Sequence, residues 1–363
     1  MEFLIMKPKY VLCTILLILA LALFCGCSAP QEEAVTEEPQ TEEVAEETPF
    51  IAPHPLVQGM NGINNIYCAG LSYDAGDVLY YIKEDENGSG CGTLRMVGSD
   101  GADTLLYTAS GNMEYLTVTA DKVYFVVTLY KSNGHFKEDV FCSLDRAAGE
   151  VTEHFSVTDR VIAMNLREDG IYLCTTTERS GSKLLRTDAA GREPEVVWEQ
   201  EDIITDCVFH GDEVYFIANN RLWCSNLIGA NRSEMASSLY MLGAPMVMGD
   251  MLYYVEYDSY LCPTLNRMEM ATGTVTPLAT YGEHIRLNAI NLYNNMIYLV
   301  KSTVDVEGNA QSAEIVSLYS DGSGETSLFA EETEVYGLSA SRGNLYFYDL
   351  AKGTALSLPL QGQ

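Results

Sequence analysis

Residue types that carry enzyme chemistry occur in this sequence, but their spacing matches no catalytic or metal-binding motif. The five histidines lack the spacing of metal ligands; they are His54, His135, His154, His210 and His284. No Gly-x-Ser-x-Gly elbow, His-Glu-x-x-His pair or Gly-rich phosphate loop is present. We therefore expect no catalytic residue, no metal site and no cofactor. The alternative of a carboxylate pair that acts as general acid and general base remains, because the chain is so acidic.

Aromatic side chains in predicted loops are the candidate ligand contacts of this sequence. Five of them are singled out: Tyr130, His135, Phe136, Tyr257 and Tyr260. Exposed aromatic rings of this kind stack on sugar rings or clamp a peptide. The alternative is that each ring only packs down the loop that carries it.

A short pattern that recurs seven times determines which elements position these loops. It consists of a turn residue, an aliphatic residue, a tyrosine and a further aromatic or aliphatic pair. The tyrosines are Tyr80, Tyr124, Tyr172, Tyr215, Tyr253, Tyr298 and Tyr346. Their spacings of 44, 48, 43, 38, 45 and 48 residues are typical of propeller blades.

Each repeat contains four short apolar stretches that are separated by turn signals, which predicts four antiparallel strands. The tyrosine strand is apolar at consecutive positions, whereas a strand with one wet face would alternate. A blade that packs between two neighbours has no wet face on its middle strands. The sequence therefore predicts an all-β fold, a seven-bladed β-propeller of four-stranded antiparallel blades, over residues 51–363.

The seventh repeat has only three strand signals before the chain ends. We predict that the extended stretch His54–Gln58 supplies the missing outer strand, so that N-terminal strand pairing with the last blade closes the ring. The alternative is that this stretch is linker.

Loops between second and third strands all emerge on one face of a propeller, where binding residues usually collect. They are predicted to be short in repeats four and seven. Long ones are predicted in repeats one, two, five and six, at Lys83–Gly92, Leu129–Asp139, Glu256–Thr264 and Val304–Ala313.

The N-terminus has the features of a secretory signal. Lys7 and Lys9 precede an apolar run, Val11–Phe24, that is short for a membrane-spanning helix. The sequence around Gly26-Cys27 resembles the lipobox of bacterial lipoproteins. That resemblance implies a signal peptide over residues 1–26, a diacylglyceryl group on Cys27 and a domain on the extracytoplasmic side of the cell membrane. An uncleaved signal anchor is the alternative.

Charge restricts the partners. Residues 27–50 hold eight glutamates and no basic residue, which predicts a disordered acidic tether. Residues 51–363 carry 42 acidic and 19 basic residues. This balance argues against nucleic acid and against broad contact with anionic lipid. We therefore expect membrane contact through the N-terminal lipid only.

Seven cysteines follow the predicted lipidated residue, and their odd number and irregular spacing make a poor disulfide framework. Four lie inside strand patterns and are predicted to be buried thiols: Cys142, Cys174, Cys207 and Cys224. One disulfide bond among these seven cysteines remains an alternative.

The repeats resemble a family of bacterial lipoprotein domains of unknown function that is related to low-density-lipoprotein-receptor-like (YWTD) and TolB-like propellers. The shared element is the turn and tyrosine strand followed by Leu-x-x-x-Asp-x-x-Gly, as in Leu184–Gly191. The resemblance covers most of residues 62–363. It implies a module that binds proteins or glycans and has no shared catalytic residues.

Three functional hypotheses follow. The leading one is a membrane-anchored binding module for a protein, peptide or glycan. The second is a glycan-active hydrolase or lyase with carboxylates in the central funnel. The third is a structural subunit of a cell-envelope complex.

The lipid anchor gives a first prediction. Replacing Cys27 with Ala removes the only predicted acceptor thiol, so the variant should take up no lipid label and should be released or left as unprocessed precursor. Metabolic labelling with a fatty acid and fractionation of cells would measure both. Unchanged labelling of Cys27→Ala would refute the anchor.

Overall fold

The computed structural model of the chain describes residues 70–360 except 77, 85–90, 178–180, 333, 342 and 350–353. These residues form 27 β-strands in seven antiparallel sheets. The predicted all-β, seven-bladed propeller is therefore confirmed. The described residues include no helix that could cross a membrane. The predicted signal peptide, Cys27 and the acidic tether lie outside the described residues.

The first four blades follow one another along the chain. Blade 1 contains β1 (Ser72–Asp74), β2 (Leu79–Glu84), β3 (Gly92–Val97) and β4 (Asp103–Thr108). Blade 2 contains β5 (Asn112–Val118), β6 (Lys122–Tyr130), β7 (Phe136–Asp145) and β8 (Val151–Val157). Blade 3 contains β9 (Arg160–Arg167), β10 (Gly170–Thr177), β11 (Gly181–Thr187) and β12 (Glu195–Gln200). Blade 4 contains β13 (Ile204–His210), β14 (Glu213–Ala218), β15 (Arg221–Asn226) and β16 (Ser233–Ser237).

The remaining three blades continue the same order. Blade 5 contains β17 (Met241–Met248), β18 (Met251–Tyr257), β19 (Pro263–Glu269) and β20 (Thr274–Thr280). Blade 6 contains β21 (Ile285–Tyr293), β22 (Met296–Val304), β23 (Ala310–Tyr319) and β24 (Thr326–Glu331). Blade 7 is described with three strands, β25 (Val335–Ser341), β26 (Asn344–Asp349) and β27 (Thr354–Pro359).

Strands in each sheet pair in chain order, which fixes where the loops lie. The loops between second and third strands share one end of the sheet with the connections to the next blade. We call this end of the ring the upper face and the opposite end the lower face. Backbone hydrogen bonds tie the upper segments together, for example Ser238 N to Asn220 O at 3.0 Å and Val304 N to His284 O at 2.8 Å.

The second strands of blades 2 to 6 are buried on both faces, as their consecutive apolar residues predict. Six of the seven repeat tyrosines lie in the core, each no more than 4% exposed: Tyr80, Tyr124, Tyr172, Tyr215, Tyr253 and Tyr298. Two of their hydroxyls reach the next blade. The Arg146 Nε donates to Tyr80 at 2.9 Å, and Tyr124 donates to the carbonyl of Ala189 at 2.8 Å. In blades 1 and 2 the repeat tyrosine thus packs inside one blade and also links it to the next, whereas Tyr172 and Tyr215 donate to Asp169 and Glu213 of their own blades.

The sheets form a closed ring. The first strand of each blade contacts the first strand of the next, from β1 through β25 and back to β1. At the join, the Ser72 and Ser339 hydroxyls are hydrogen-bonded at 2.7 Å although 267 residues separate them. The rings of Tyr81 and Tyr346 stack across the same join with centroids 6.3 Å apart. The stretch His54–Gln58 lies outside the described residues, so its pairing with blade 7 stays a prediction.

Several loops are shorter than the sequence analysis predicts. In blade 2 the ladder continues to the pair Tyr130 and Phe136, and the loop is only 131–135. In blade 5, Tyr257 is the last residue of β18. These three aromatic residues therefore lie in strands rather than loops. The reason is that aromatic and β-branched residues favour continued strand pairing. The Asn219-Asn220 turn of blade 4 is short, as predicted, and both residues have positive φ.

The predicted buried thiols are also found. Cys142, Cys174, Cys207 and Cys224 are buried in strands, and none of these four forms a disulfide. Burial raises the pKa of the Cys142 thiol to about 12, which keeps it protonated and unreactive at neutral pH.

The glycine of the Leu-x-x-x-Asp-x-x-Gly element makes a contact between blades. In the turn after β11, the Asp188 carboxylate accepts hydrogen bonds from the backbone N–H groups of Ala190 and Arg192. Gly191 has φ of +70°, and a Cβ on it would lie 2.3 Å from the ring of His154 in blade 2. The turn can therefore approach the neighbouring blade only because this residue has no side chain.

This contact yields a prediction that separates steric clash from backbone strain. Gly149, in the equivalent turn of blade 2, also has φ of +70°, but a Cβ on it would meet no atom within 4 Å. The free energy of unfolding of Gly149→Ala should therefore be about 1–2 kcal/mol lower than that of wild type, because of the left-handed backbone alone. Gly191→Ala should lose a further ~1–3 kcal/mol from the clash. Urea unfolding of the two variants measures the difference, and equal losses would contradict the contact.

Candidate functional site

Exposed apolar side chains are concentrated on the upper face. Among the described residues, thirteen large hydrophobic side chains are exposed. Three lie on outer strands and two at the lower face: Leu105, Val196 and Val275, then Ile228 and Tyr319. Eight belong to the upper face: Tyr130, Ile203, Leu239, Tyr240, Met241, Tyr260, Leu261 and Val306. Clustered exposed apolar residues mark interaction surfaces, whereas scattered ones need no explanation.

The densest part of this set lies at blades 4 and 5, and we call it the apolar rim: Leu239, Tyr240, Met241, Tyr260 and Leu261. Leu239 is 91% exposed, Tyr260 70% and Leu261 60%. The rim combines the connection from blade 4 to blade 5 with the loop 258–262. Both segments lie at the same end of the β17–β18 hairpin, because Met241 pairs with Tyr257 there.

The loop 258–262 holds its apolar residues in a fixed conformation. Asp258 Oδ1 accepts hydrogen bonds from the backbone N–H groups of Tyr260 at 2.8 Å and Cys262 at 2.9 Å. Leu261 N donates to the carbonyl of Asp258 at 3.0 Å. The carboxylate thus organises the turn from inside, and the side chains of Tyr260 and Leu261 project from it.

Leu261 adopts a conformation that is unfavourable for leucine. Its φ is +57°, in the left-handed region, where a residue with a Cβ loses about 1–2 kcal/mol. Its side chain is exposed, so core packing does not offset this loss. Strain that is kept without a structural gain is characteristic of functional positions.

A cleft of about 280 Å³ opens beside the rim. It lies between blades 4 and 5, since Tyr254, on the same face of β18 as Glu256, packs against Val208 and Tyr215 of blade 4. Within the part of the chain that the structure describes, its lining includes two carboxylates and no basic side chain. The lining residues are Ser238, Leu239, Tyr240, Glu256, Tyr257, Asp258, Thr264 and Asn266.

The five aromatic candidates fall into two separate groups. Tyr260 belongs to the rim, and Tyr257 lines the cleft but is only 6% exposed. The Tyr257 hydroxyl accepts a hydrogen bond from Leu287 N at 3.3 Å, which ties blade 5 to blade 6. Tyr130, His135 and Phe136 lie at blade 2, where Tyr130 is 45% exposed, His135 is exposed and Phe136 is half-buried. Ligand contact by any of the five stays a prediction.

Four rim residues were missed by the sequence analysis: Leu239, Tyr240, Met241 and Leu261. Leu239 and Tyr240 lie on the connection between blades 4 and 5, and Met241 is the first residue of β17. The available signal was an apolar run after Ser237-Ser238, at a position where a solvated turn is expected.

An ionic cluster joins blades 2 and 3 at the upper face. Arg160 Nη2 is 2.8 Å from Glu114 Oε2, and Arg160 Nε is 3.9 Å from Asp139 Oδ2. Asp139 Oδ2 also accepts the backbone N–H of Val161 at 2.7 Å. The Arg160 guanidinium lies 5.8 Å from the centre of the Phe136 ring. Glu114 and Asp139 are 8% and 1% exposed.

Burial determines the protonation of this cluster. It raises the pKa of Glu114, against the opposing effect of Arg160, and it raises the pKa of Asp139. Burial acts to lower the pKa of Arg160, but the two carboxylates outweigh it and the net direction is upward. Two carboxylates therefore share one guanidinium, and a proton on either acid is favoured by the fold.

The position of Asp139 has a structural counterpart in blade 3. There, Ser182 Oγ accepts the backbone N–H of Ile204 at 2.7 Å, as Asp139 accepts that of Val161. Each of these side chains also faces a threonine across the hairpin, Thr128 in blade 2 and Thr176 in blade 3. Asp139 thus caps the first strand of the next blade, and Arg160 compensates the charge that this cap introduces.

Comparisons with known proteins support the fold. The chain matches no protein-family profile. No curated protein matches it in sequence. It is similar to a prolyl endopeptidase structure, with TM-score 0.56, 10% identity and coverage of 82% of this chain and 50% of that one. It is similar to an oligogalacturonate lyase in complex with manganese, with TM-score 0.55, 12% identity and coverage of 78% and 86%.

A third similar structure is TolB from Acinetobacter baumannii, with TM-score 0.50, 12% identity and coverage of 72% of this chain and 65% of that one. The similarity to a TolB structure agrees with the resemblance to TolB-like propellers at the level of the fold. The chain spans about half the length of the prolyl endopeptidase and about two thirds of TolB. At these identities the likeness concerns the fold alone.

The ionic cluster gives a prediction for the pH dependence of stability. A raised pKa means that the folded chain binds the proton of Glu114 more tightly than the unfolded chain does. This proton stabilises the folded chain fully at pH values below the pKa of Glu114 in the unfolded chain, which is about 4.3. The stabilisation is lost as the pH rises through the pKa of Glu114 in the folded chain. Glu114→Gln removes this loss, so its melting temperature should rise relative to wild type between pH 4 and pH 7.

Thermal unfolding across this pH range measures the effect as a difference between the two proteins. Glu193→Gln, which neutralises an exposed carboxylate in a turn of blade 3, is the matched control and should show no such trend. A melting temperature of Glu114→Gln that falls relative to wild type with rising pH would show that Arg160 dominates over burial.

Proposed function

We propose that this protein is a binding module that engages a protein, peptide or glycan through the apolar rim of its upper face. The observation that carries the proposal is Leu261, an exposed leucine in a strained conformation within the densest exposed apolar group. Such an arrangement lowers the stability of the free protein. It is explained when burial of the leucine against a ligand is worth about 1.5–3 kcal/mol.

We also propose that the module is held at the cell membrane by lipid on Cys27, with the propeller on the extracytoplasmic side. The support is the N-terminal sequence pattern, in which an apolar run ends in Gly26-Cys27 and an acidic stretch follows. A charged, self-repelling tether keeps the propeller away from anionic headgroups. The upper face is then free to meet a ligand.

The geometry favours binding over the hydrolase or lyase hypothesis. Glu114 and Asp139, two carboxylates whose pKa burial raises, contact Arg160, and Asp139 also caps the backbone of Val161. A general acid or base has to reach the proton that it transfers. The third hypothesis, a structural subunit of an envelope complex, would use the same rim against a protein.

The role of Leu261 is testable without loss of stability. Asn tolerates the left-handed region better than leucine, so Leu261→Asn should keep the melting temperature or raise stability by up to about 1 kcal/mol. Loss of the apolar side chain should weaken ligand binding about tenfold or more, because 1.4 kcal/mol corresponds to a factor of ten. Binding of the full chain in detergent to glycan and peptide arrays measures the change.

Val275→Asn is the matched control, because Val275 is an exposed apolar residue on the outer strand of the same blade. It should leave every array signal unchanged. Array signals that survive Leu261→Asn would place the contact elsewhere. Cleavage of an array ligand would replace the binding hypothesis by the enzyme hypothesis.

A further inference from the structure

We propose that the cleft between blades 4 and 5 takes a cationic polypeptide segment, whose apolar side chain enters the cleft while an adjacent lysine or arginine meets Glu256 and Asp258. This inference rests on the proposed function and narrows it, since it selects one class of ligand for the upper face. Three features of the cleft support it: its size, its uncompensated charge and its polar floor.

The cleft has room for a side chain. Its volume is about 280 Å³, and an apolar cavity of about 150 Å³ is known to hold a benzene molecule. Leu239 and Tyr240 form its apolar wall. One leucine, isoleucine or phenylalanine of a ligand would be buried there, which is the anchor arrangement that dominates the energy of peptide interfaces.

The charge of the cleft is uncompensated. Glu256 and Asp258 line it, and among the described residues no lysine, arginine or histidine does. Neither carboxylate takes part in an ion pair within the described part of the chain. The connection to blade 6 adds another exposed carboxylate, Glu283. A ligand with positive charge therefore gains attraction without having to displace a cation of the protein.

Arg286, near the start of β21, is hydrogen-bonded within blade 6. Arg286 Nη2 donates to the carbonyl of Gly308 at 3.2 Å, within the upper loop of blade 6. Burial raises the pKa of the Tyr257 hydroxyl and Arg286 opposes this effect, so the guanidinium also acts on one residue of the cleft lining. The apolar rim thus borders a region of negative charge, which complements a segment that combines apolar and basic residues.

The floor of the cleft offers a polar contact for a backbone. Asn266 is 5% exposed and is one of the residues that line the cleft. An amide presents both donors and an acceptor, which is the set that an extended peptide backbone requires. A neutral glycan would leave the two carboxylates without a counter-charge, and an acidic glycan would be repelled. The combination favours a cationic polypeptide.

The experiment measures binding of dye-labelled ten-residue peptides to the full chain in detergent by fluorescence anisotropy. The first peptide carries four lysines and one leucine in a Gly/Ser background. The second has serine in place of the leucine, and the third has glutamates in place of the lysines. A neutral hexasaccharide of N-acetylglucosamine is tested as competitor. The variants are Glu256→Gln, Leu261→Asn and the control Glu193→Gln.

The expected result has four parts. The first peptide binds, the second binds about tenfold more weakly, and the third does not bind. Glu256→Gln weakens the first peptide about three- to tenfold and makes its affinity less dependent on salt. Leu261→Asn weakens it about tenfold. Glu193→Gln leaves it unchanged, although it removes the same charge from the chain.

Three outcomes would overturn the inference, and they distinguish it from the proposed function. The third peptide or the hexasaccharide could bind more tightly than the first peptide and lose this binding in Leu261→Asn. That result would keep the upper face as the binding surface but would replace the cationic polypeptide by another class of ligand. Equal binding of the first two peptides, unchanged in Leu261→Asn, would show non-specific attraction by the acidic chain and would count against both proposals. Absence of binding by the first peptide at ~100 μM, far weaker than a specific peptide interface, would refute the cationic ligand.

Discussion

Burial of both faces of the second strand in blades 2 to 6 is the constraint on which this structure depends. A sheet with two apolar faces needs a neighbouring sheet against each face. Each neighbouring sheet has the same requirement. A closed ring meets this requirement without leaving a terminal sheet exposed. The contact between Ser72 and Ser339 is the place where the first and last blades satisfy it. The same constraint explains the repeat tyrosines, whose rings fill the core while the hydroxyls of Tyr80 and Tyr124 bond to the next blade.

The residues that stabilise the ring differ from the residues of the candidate binding surface. Inter-blade packing, the Asp139 cap and the Gly191 contact all concern elements that hold the sheets together. The upper loops are fixed at their ends by these sheets and contribute little to the core. Leu261 illustrates the consequence, because its strained conformation is held by Asp258 within a loop whose ends belong to a rigid hairpin. A rigid support of this kind lets an apolar residue remain exposed without collapsing onto the surface.

The fold could be predicted from the sequence because its signals are local and repeated. A tyrosine strand after a tight turn, seen seven times, specifies blade number and strand order. The residues of the candidate site were harder to predict from the sequence. Tyr260 could be proposed because it lies in a loop between second and third strands. Leu239 and Tyr240 lie on a connection, and Met241 begins β17, where exposure depends on the packing of two blades. The role of Asp139 was also hidden, because the N–H that it caps belongs to a residue 22 positions further along the chain.

The most direct measurement of whether the apolar rim is a contact surface is hydroxyl-radical footprinting of the full chain in whole cells and after purification in detergent. If the rim contacts a ligand as proposed, Tyr240, Tyr260 and Leu261 are oxidised more slowly in cells than after purification, while Leu105 and Val275 on outer strands react equally in both. Equal oxidation of the rim in the two preparations, or protection of the outer strands instead, would contradict it.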